Sequence, residues 1–285
     1  MQYAPASRMQ LLEQCLITEV DAMRCTFVCK LVATIVVALG GVNSMVSAQE
    51  FRVETKVYAN DDKAPVAETL SIFSDGIVYD FLLSGAKEMT MFDRMHNRIV
   101  LLDPERQVKT ELSTDAILAF IAKMKARLGD AQRRYLSGSG MKLENEEGGW
   151  IKLYNDRVIY RAKGVTPKES DAVLQYRQFA DWYARLNAMR LGNLPPFARL
   201  RLNAELAERG FIPKEVERTI IFKTGLSESK ETLRSQHTTN WRLSQTDRKW
   251  IDRVGTYLTT FRTVPFTEYV HQTDMANIPK NQQKK

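Results

Sequence analysis

Cysteine is scarce, and its distribution excludes a good deal. The chain holds three: Cys15, Cys25 and Cys29, all close to the N-terminus. Beyond residue 48 there is none, so that part uses no disulfide, cysteine–zinc site or thiolate nucleophile. Its stability must come from burial. The short patterns that announce a reaction are missing too. After residue 48 there is no G-x-S-x-G, no H-E-x-x-H and no phosphate-binding P-loop. There is no long low-complexity run and no fixed-period repeat. Without such patterns no reaction can be read, and the expectation leans away from an enzyme. No cofactor and no metal is expected.

What is present begins with an export-like leader. Met23-Arg24 opens a short basic stretch that closes with Lys30, and an apolar run follows from Leu31 to Val46. Val46-Ser47-Ala48 supplies small residues where a signal peptidase reads, which predicts cleavage at Ala48-Gln49 and a periplasmic or extracellular protein. The alternative is an N-terminal membrane anchor. The run falls short of the roughly 20 apolar residues a span needs, and it contains Gly40, Gly41 and Asn43. Residues 1–22 carry Glu13, Glu19 and Asp21, which do not suit a leader. They are read as an upstream extension from a misplaced start, with residues 23–48 as the signal peptide. Residues 49–272 then form one domain, with a mobile loop near 137–149 and a polar, disordered tail over 273–285.

Basic residues outnumber acidic ones, 41 to 34, for a formal net charge of +7. Arg8, Arg24 and Lys30 balance the three leader acids, so the excess belongs to the exported part. It favours anionic partners such as acidic lipid headgroups or an anionic envelope surface, and export disfavours nucleic acid. The oligomeric state is not readable.

The first half reads as strands. Phe51, Val53, Thr55 and Val57 alternate with Arg52, Glu54 and Lys56, the period of a half-buried strand. Asp75-Gly76 marks a tight hairpin between strands over 66–73 and 77–83. Three shorter strands follow over 88–92, 99–103 and 107–112. Links this short predict a meandering antiparallel sheet, since parallel pairs need long crossovers. Ser113 or Thr114 caps a helix whose apolar stripe runs from Ile117 to Tyr135. A hairpin is expected around Asn155-Asp156, and a long helix from about Ser170 to Met189. A further helix starts at Pro195-Pro196 and ends at Gly210. Strands near 217–223 and 232–243 and a helix capped by Thr246 complete the pattern. The fold class is α+β, a curved, mainly antiparallel sheet packed against several helices.

Few residues invite a chemical role. Lys223-Thr224-Gly225 and Ser227-Glu228-Ser229-Lys230 match two motifs of penicillin-recognising serine enzymes, but in the wrong order and almost touching, so they read as a polar turn. Asp80, Asp93, His96 and Asp103 are hard ligands on neighbouring strands and turns. Three of them sit at turns, where such residues serve the backbone. His237 is a potential general base with no nucleophile assigned to it. Lys123, Arg127 and Arg134 make a basic stripe suited to anionic surfaces, or simply a solvated helix face.

Phe73-Ser74-Asp75-Gly76-Ile77-Val78-Tyr79-Asp80, then Phe92-Asp93 and the stretch from Arg98 to Leu112, resemble strand–turn–strand elements of the LolA/LolB-type periplasmic lipoprotein carriers and related exported proteins. The likeness covers roughly residues 51–112. It implies an antiparallel half-barrel with helices plugging its concave face, and in the carriers acyl chains held there. The carriers open with a helix, whereas Phe51–Val57 reads as a strand. A curled sheet of this kind needs helices or a ligand to cover its apolar face. Met89, Met91, Met95 and Met124 suit an adaptable lining or plain core filling, joined by Phe179 and Trp182 from the long helix. The expected function is an exported, non-enzymatic protein binding an apolar or amphiphilic ligand, lipid or lipoprotein-like. The alternatives are a structural or interaction protein of the cell envelope, and a hydrolase with an unrecognised site.

Overall fold

The computed structural model describes residues 50–270 apart from 86, 191–192 and 225–226, with the backbone alone at 131, 133, 134 and 224. The leader, the C-terminal tail and His271 lie outside the described residues. Twelve strands form one curved, unclosed sheet. In chain order they are β1 (Phe51–Ala59), β2 (Ala67–Ser74), β3 (Ile77–Leu82), β4 (Met89–Asp93), β5 (Arg98–Asp103), β6 (Val108–Ser113), β7 (Lys142–Glu146), β8 (Trp150–Tyr154), β9 (Val158–Val165), β10 (Ile212–Thr224), β11 (Ser227–Asn240) and β12 (Arg262–Thr263). The helices are α1 (Thr114–Arg127), α2 (Asp130–Leu136), α3 (Asp171–Asn187), α4 (Phe197–Glu208) and α5 (Gln245–Thr260). Across the sheet the order is β12-β6-β5-β4-β3-β2-β1-β11-β10-β9-β8-β7. Every neighbouring pair is antiparallel except β12 beside β6. The fold is therefore the expected α+β class.

Turn chemistry sets the meander. Asp75 and Gly76 both take positive φ, 51° and 75°, which matches the twist of the strands they join. Asn155 accepts hydrogen bonds from the N–H groups of Arg157 and Val158 at 2.9 and 2.8 Å and closes the β8–β9 hairpin. Helix ends follow local rules as well. Ser113 caps α1 by accepting from the Ala116 N–H at 3.1 Å. After α4, Gly210 has φ 73°; its N–H donates to the Ala207 carbonyl and that of Phe211 to the Leu206 carbonyl. These are the paired bonds of a glycine-ended helix.

Four local expectations need correction. The stripe from Ile117 to Tyr135 is not one helix. Leu128 is buried and extended (ψ 121°), and Gly129 follows, so the chain breaks between α1 and α2. Glycine disfavours a helix interior by about 1 kcal/mol, which makes the break cheap. Residues 142–146, expected within a loop, form β7 at the sheet margin. The polar stretch 227–231 is not a turn but the start of β11, paired with β10 as far as Thr224↔Ser227. Finally, Ser244 rather than Thr246 caps α5. Its hydroxyl accepts from the Asp247 N–H while the Asp247 carboxylate accepts from the Ser244 N–H, a complete capping box.

Strand alternation sorts the core onto two faces. Phe51, Val53, Phe73, Phe92, Ile99 and Leu101 point to one side, where α1 and α3 cover them. Leu70, Ile72, Phe81, Met89, Met91, Val100 and Leu102 point to the other, where α5 covers them with Val254, Trp250 and Leu258. Farther along the first face, Ile151, Leu153, Val158, Tyr160 and Val216 pack under Ala198, Leu202 and Leu206 of α4. Each large side chain so buried contributes roughly 1.5–3 kcal/mol. No helix among the described residues is long and apolar enough to cross a membrane.

Candidate functional site

Side-chain size along the α3 face decides where the sheet and its helices meet tightly. Under one end of α3 the floor residues are large. Phe73 stacks on Phe51 with centroids 4.1 Å apart, and both Phe73 and Phe92 meet Phe179 edge-on at 5.5 and 5.1 Å. Toward β1, β11 and β10 the floor residues shrink to Thr55, Val57, Thr69, Ser71, Ser235 and Val216. Tyr176, Phe179 and Tyr183 overhang them from α3 without filling the space. A cavity of about 490 Å³ results. Leu194, Pro195 and Pro196 flank it in the connection to α4, and Arg190, Arg199 and Arg218 also reach it.

Asp80 and His237 are polar centres of the floor. Asp80 is buried, and its Oδ1 accepts a 2.6 Å hydrogen bond from the Ser71 hydroxyl. Burial pushes its carboxyl up to about 7, Ser71 pulls it down, and Glu88 adds to the rise. His237 sits with Nδ1 3.0 Å from the Thr55 hydroxyl and Nε2 3.0 Å from the Ser235 hydroxyl. Tyr176 also approaches Nδ1, at 3.5 Å. Burial, reinforced by the Arg199 charge, holds the imidazole down to about 3. It is neutral at physiological pH, so one ring nitrogen donates and the other accepts. Burial pushes the Tyr176 phenol up to about 12. At the cavity's edge Arg190 donates to Glu88, which also accepts from the Tyr269 hydroxyl at 3.3 Å.

Ser235 and His237 have the spacing of a nucleophile and its base, but among the described residues no carboxylate hydrogen-bonds the imidazole. Acyl transfer needs an imidazole that accepts a proton and an acid that steadies the resulting cation. Here Nδ1 faces the Thr55 and Tyr176 hydroxyls, and burial opposes the cation. The Ser235 hydroxyl also bonds the Val216 carbonyl, at 3.2 Å. The cluster is built to hydrogen-bond, not to ionise.

The expected site residues scatter. Phe179 lines the cavity. Met89 and Met91 lie on the opposite face, packed beneath α5. The reason is strand parity: Thr90 pairs with Asp80 and shares its face, which turns Met89 and Met91 away. Met95 is 80% exposed in the β4–β5 turn, outside any lining. Met124 and Trp182 pack against the core between α1 and α3. Lys123 and Arg127 are exposed on α1, whereas Arg134 lies on α2, where its side chain is outside the described residues. The break at Leu128 means the three do not share one continuous helix face. Asp80, Asp93, His96 and Asp103 do not converge either. Asp93 faces away from Asp80 and is bound to His96 at 2.7 Å and Arg98 at 3.0 Å. Asp103 accepts from the backbone and side chain of Arg106. Among the described residues no group of three or more histidine, cysteine or acidic side chains is placed to hold a metal.

Small floor residues were the signal for the cavity. Thr55, Thr69, Ser71 and Ser235 occupy inward strand positions on the face that carries Phe51, Val53 and Phe73 farther along β1 and β2. Reading it from sequence required the pairing of β1 with β11 across 182 residues, as in Thr55↔His237.

No family model matches the chain, and no curated protein matches it. Among solved structures it is similar to a LolA superfamily protein from Nitrosomonas europaea, at 9% identity and a TM-score of 0.24, over 70% of this chain and 89% of that one.

Proposed function

We propose that this chain is an exported, non-enzymatic protein that carries an amphiphilic ligand, lipid or lipoprotein-like, in the cavity between the sheet and α3. One observation carries the reading: a helix that closes tightly over Phe73 and Phe92 stands clear of a floor of threonine, serine and valine. The space, about 490 Å³, falls in the range of roughly 300–1,000 Å³ typical of small-molecule sites. Val57, Phe179, Ala180, Val216 and Leu233 offer it apolar walls, while Asp80, His237 and the arginines offer polar ends. An amphiphile needs both. The neutral, hydroxyl-bonded His237 favours binding over hydrolysis. Lys123 and Arg127, exposed on α1, are proposed as the contact with acidic headgroups of an envelope surface.

The test is displacement of a fluorescent fatty-acid probe from protein recovered after secretion. We expect one probe per chain and N-terminal sequencing that begins at Gln49. Thr69→Phe should fill the cavity and weaken the probe at least tenfold. Overpacking a filled core costs about 1–3 kcal/mol; with open space to occupy, this variant should cost under about 1 kcal/mol. Absence of probe binding by the folded wild-type protein would remove the proposal.

A further inference from the structure

Arg199 and Arg218 approach one wall of the cavity from different layers. Arg218 rises from β10 in the floor, and Arg199 comes from the first turn of α4. Both line the cavity beside Tyr160, and both charges act on its hydroxyl. Arg199 acts on Tyr176 and His237 as well. The two cations therefore gather around the same neutral hydrogen-bonding groups.

The Arg199 charge acts on the Asp181 carboxylate, but among the described residues no carboxylate forms a close ion pair with Arg199 or Arg218. Arg199 donates its Nε to Asn203 Oδ1 at 3.0 Å, and Asn203 donates to Asp181 Oδ1 at 2.9 Å. That relay orients the guanidinium through a neutral amide and leaves its terminal nitrogens without a protein acceptor among the described residues. Arg190, a third arginine of the cavity, shows the contrast, because it spends its charge on Glu88. Asp80 belongs to the cavity but is engaged by Ser71, and neither arginine is among the groups that shift its ionisation.

Half-buried cations without a partner are costly, and an incoming anion removes the cost. Paired planar guanidinium forks match the oxygens of a carboxylate or a phosphate. We infer that Arg199 and Arg218 form a head-group subsite that grips the oxyanion, carboxylate or phosphate, at the polar end of the ligand, with Tyr160 and His237 as neutral hydrogen-bonding neighbours. This rests on the carrier reading above and names the ligand class within it: anionic, single-headed amphiphiles.

Calorimetric titration with dodecanoate, dodecyl phosphate, dodecanol and inorganic phosphate tests it. A hydrogen bond to a charged group is worth about 1.5–3 kcal/mol, so the two anionic amphiphiles should outbind dodecanol by roughly tenfold or more. Arg199→Gln and Arg218→Gln should each erode that preference, weakening the two anionic amphiphiles more than dodecanol. Equal affinity for dodecanol and the anions would overturn the subsite while sparing the carrier reading. If inorganic phosphate binds as tightly as dodecyl phosphate, the arginine subsite stands and the amphiphile falls. If none of the three amphiphiles binds, the carrier reading fails, and the subsite with it. The wild-type comparison alone decides between these outcomes, whether or not a variant folds.

Discussion

Two buried carboxylates on opposite faces of one sheet meet opposite fates. Asp247, under the α5 face, is 1% exposed. Burial pushes its carboxyl up, but the Ser244 backbone and hydroxyl donors, at 2.6 and 2.7 Å, and Arg52 at 2.9 Å outweigh that and hold it below the usual carboxylate range. Asp80, under the α3 face, has the Ser71 hydroxyl at 2.6 Å, and burial wins, leaving it near 7. The first is a finished structural joint that starts a helix and ties it to β1. The second borders empty space with its polar requirements half met. The contrast teaches that one face is closed by paired charges and the other leaves a cavity beside a half-satisfied carboxylate.

The largest expected effect breaks the finished joint. Asp247→Ala removes the carboxylate half of the capping box, worth up to about 1 kcal/mol, and strands Arg52, for which a lost buried partner costs about 3–5 kcal/mol. Because Arg52 keeps Glu54 at 2.7 Å, a total near 4 kcal/mol is expected from urea denaturation. A loss under 1 kcal/mol would show that the two sites do not differ as described. Since the folded pKa lies below the unfolded value of about 3.9, this stabilisation is present above that pH and is lost as pH falls through the folded value.

Asp80 should behave in the reverse sense. Its folded pKa, about 7, exceeds the unfolded value of about 3.9. Between those pH values the folded state holds a proton that the unfolded state has released, so stability declines as pH rises from 4 to 7 and then levels. Asp80→Asn keeps an acceptor for Ser71 and removes the titration. It should leave stability at pH 4 nearly unchanged and raise it at pH 8 by about 3 kcal/mol, allowing for water in the cavity. Parallel pH profiles for variant and wild type would count against the burial argument. The smallest effect belongs to the methionines. Met89→Leu and Met91→Leu conserve volume and should cost under about 1.5 kcal/mol each, with fatty-acid probe affinity changed less than twofold. A collapse of binding would mean that the α5 face, not the α3 face, holds the ligand.

Local features were legible in the sequence because their causes are local. Asp75-Gly76, the Ser113 cap, the glycine end at Gly210 and the strand alternation of Phe51–Val57 each depend on a handful of consecutive residues. Register was not legible. Met89 and Met91 look like lining residues until pairing with β3 assigns them the other face. Leu128 looks like one more helical core residue until tertiary packing takes it extended. The cavity is the extreme case: it is defined by short side chains on β1, β2, β10 and β11, strands far apart in the chain. Sequence patterns report where bulk lies, and the site is made where bulk is missing.

A sheet this wide has only two margins at which another chain could add a strand. β12 lies along β6 at one, through Arg262 and Thr263. The other is β7, whose short run alternates Lys142, Glu144 and Glu146 with Leu143 and Asn145. Charges spaced along a brief outer strand deter a neighbour from docking there. The β7 margin thus discourages a second copy from extending the pleated body edge to edge.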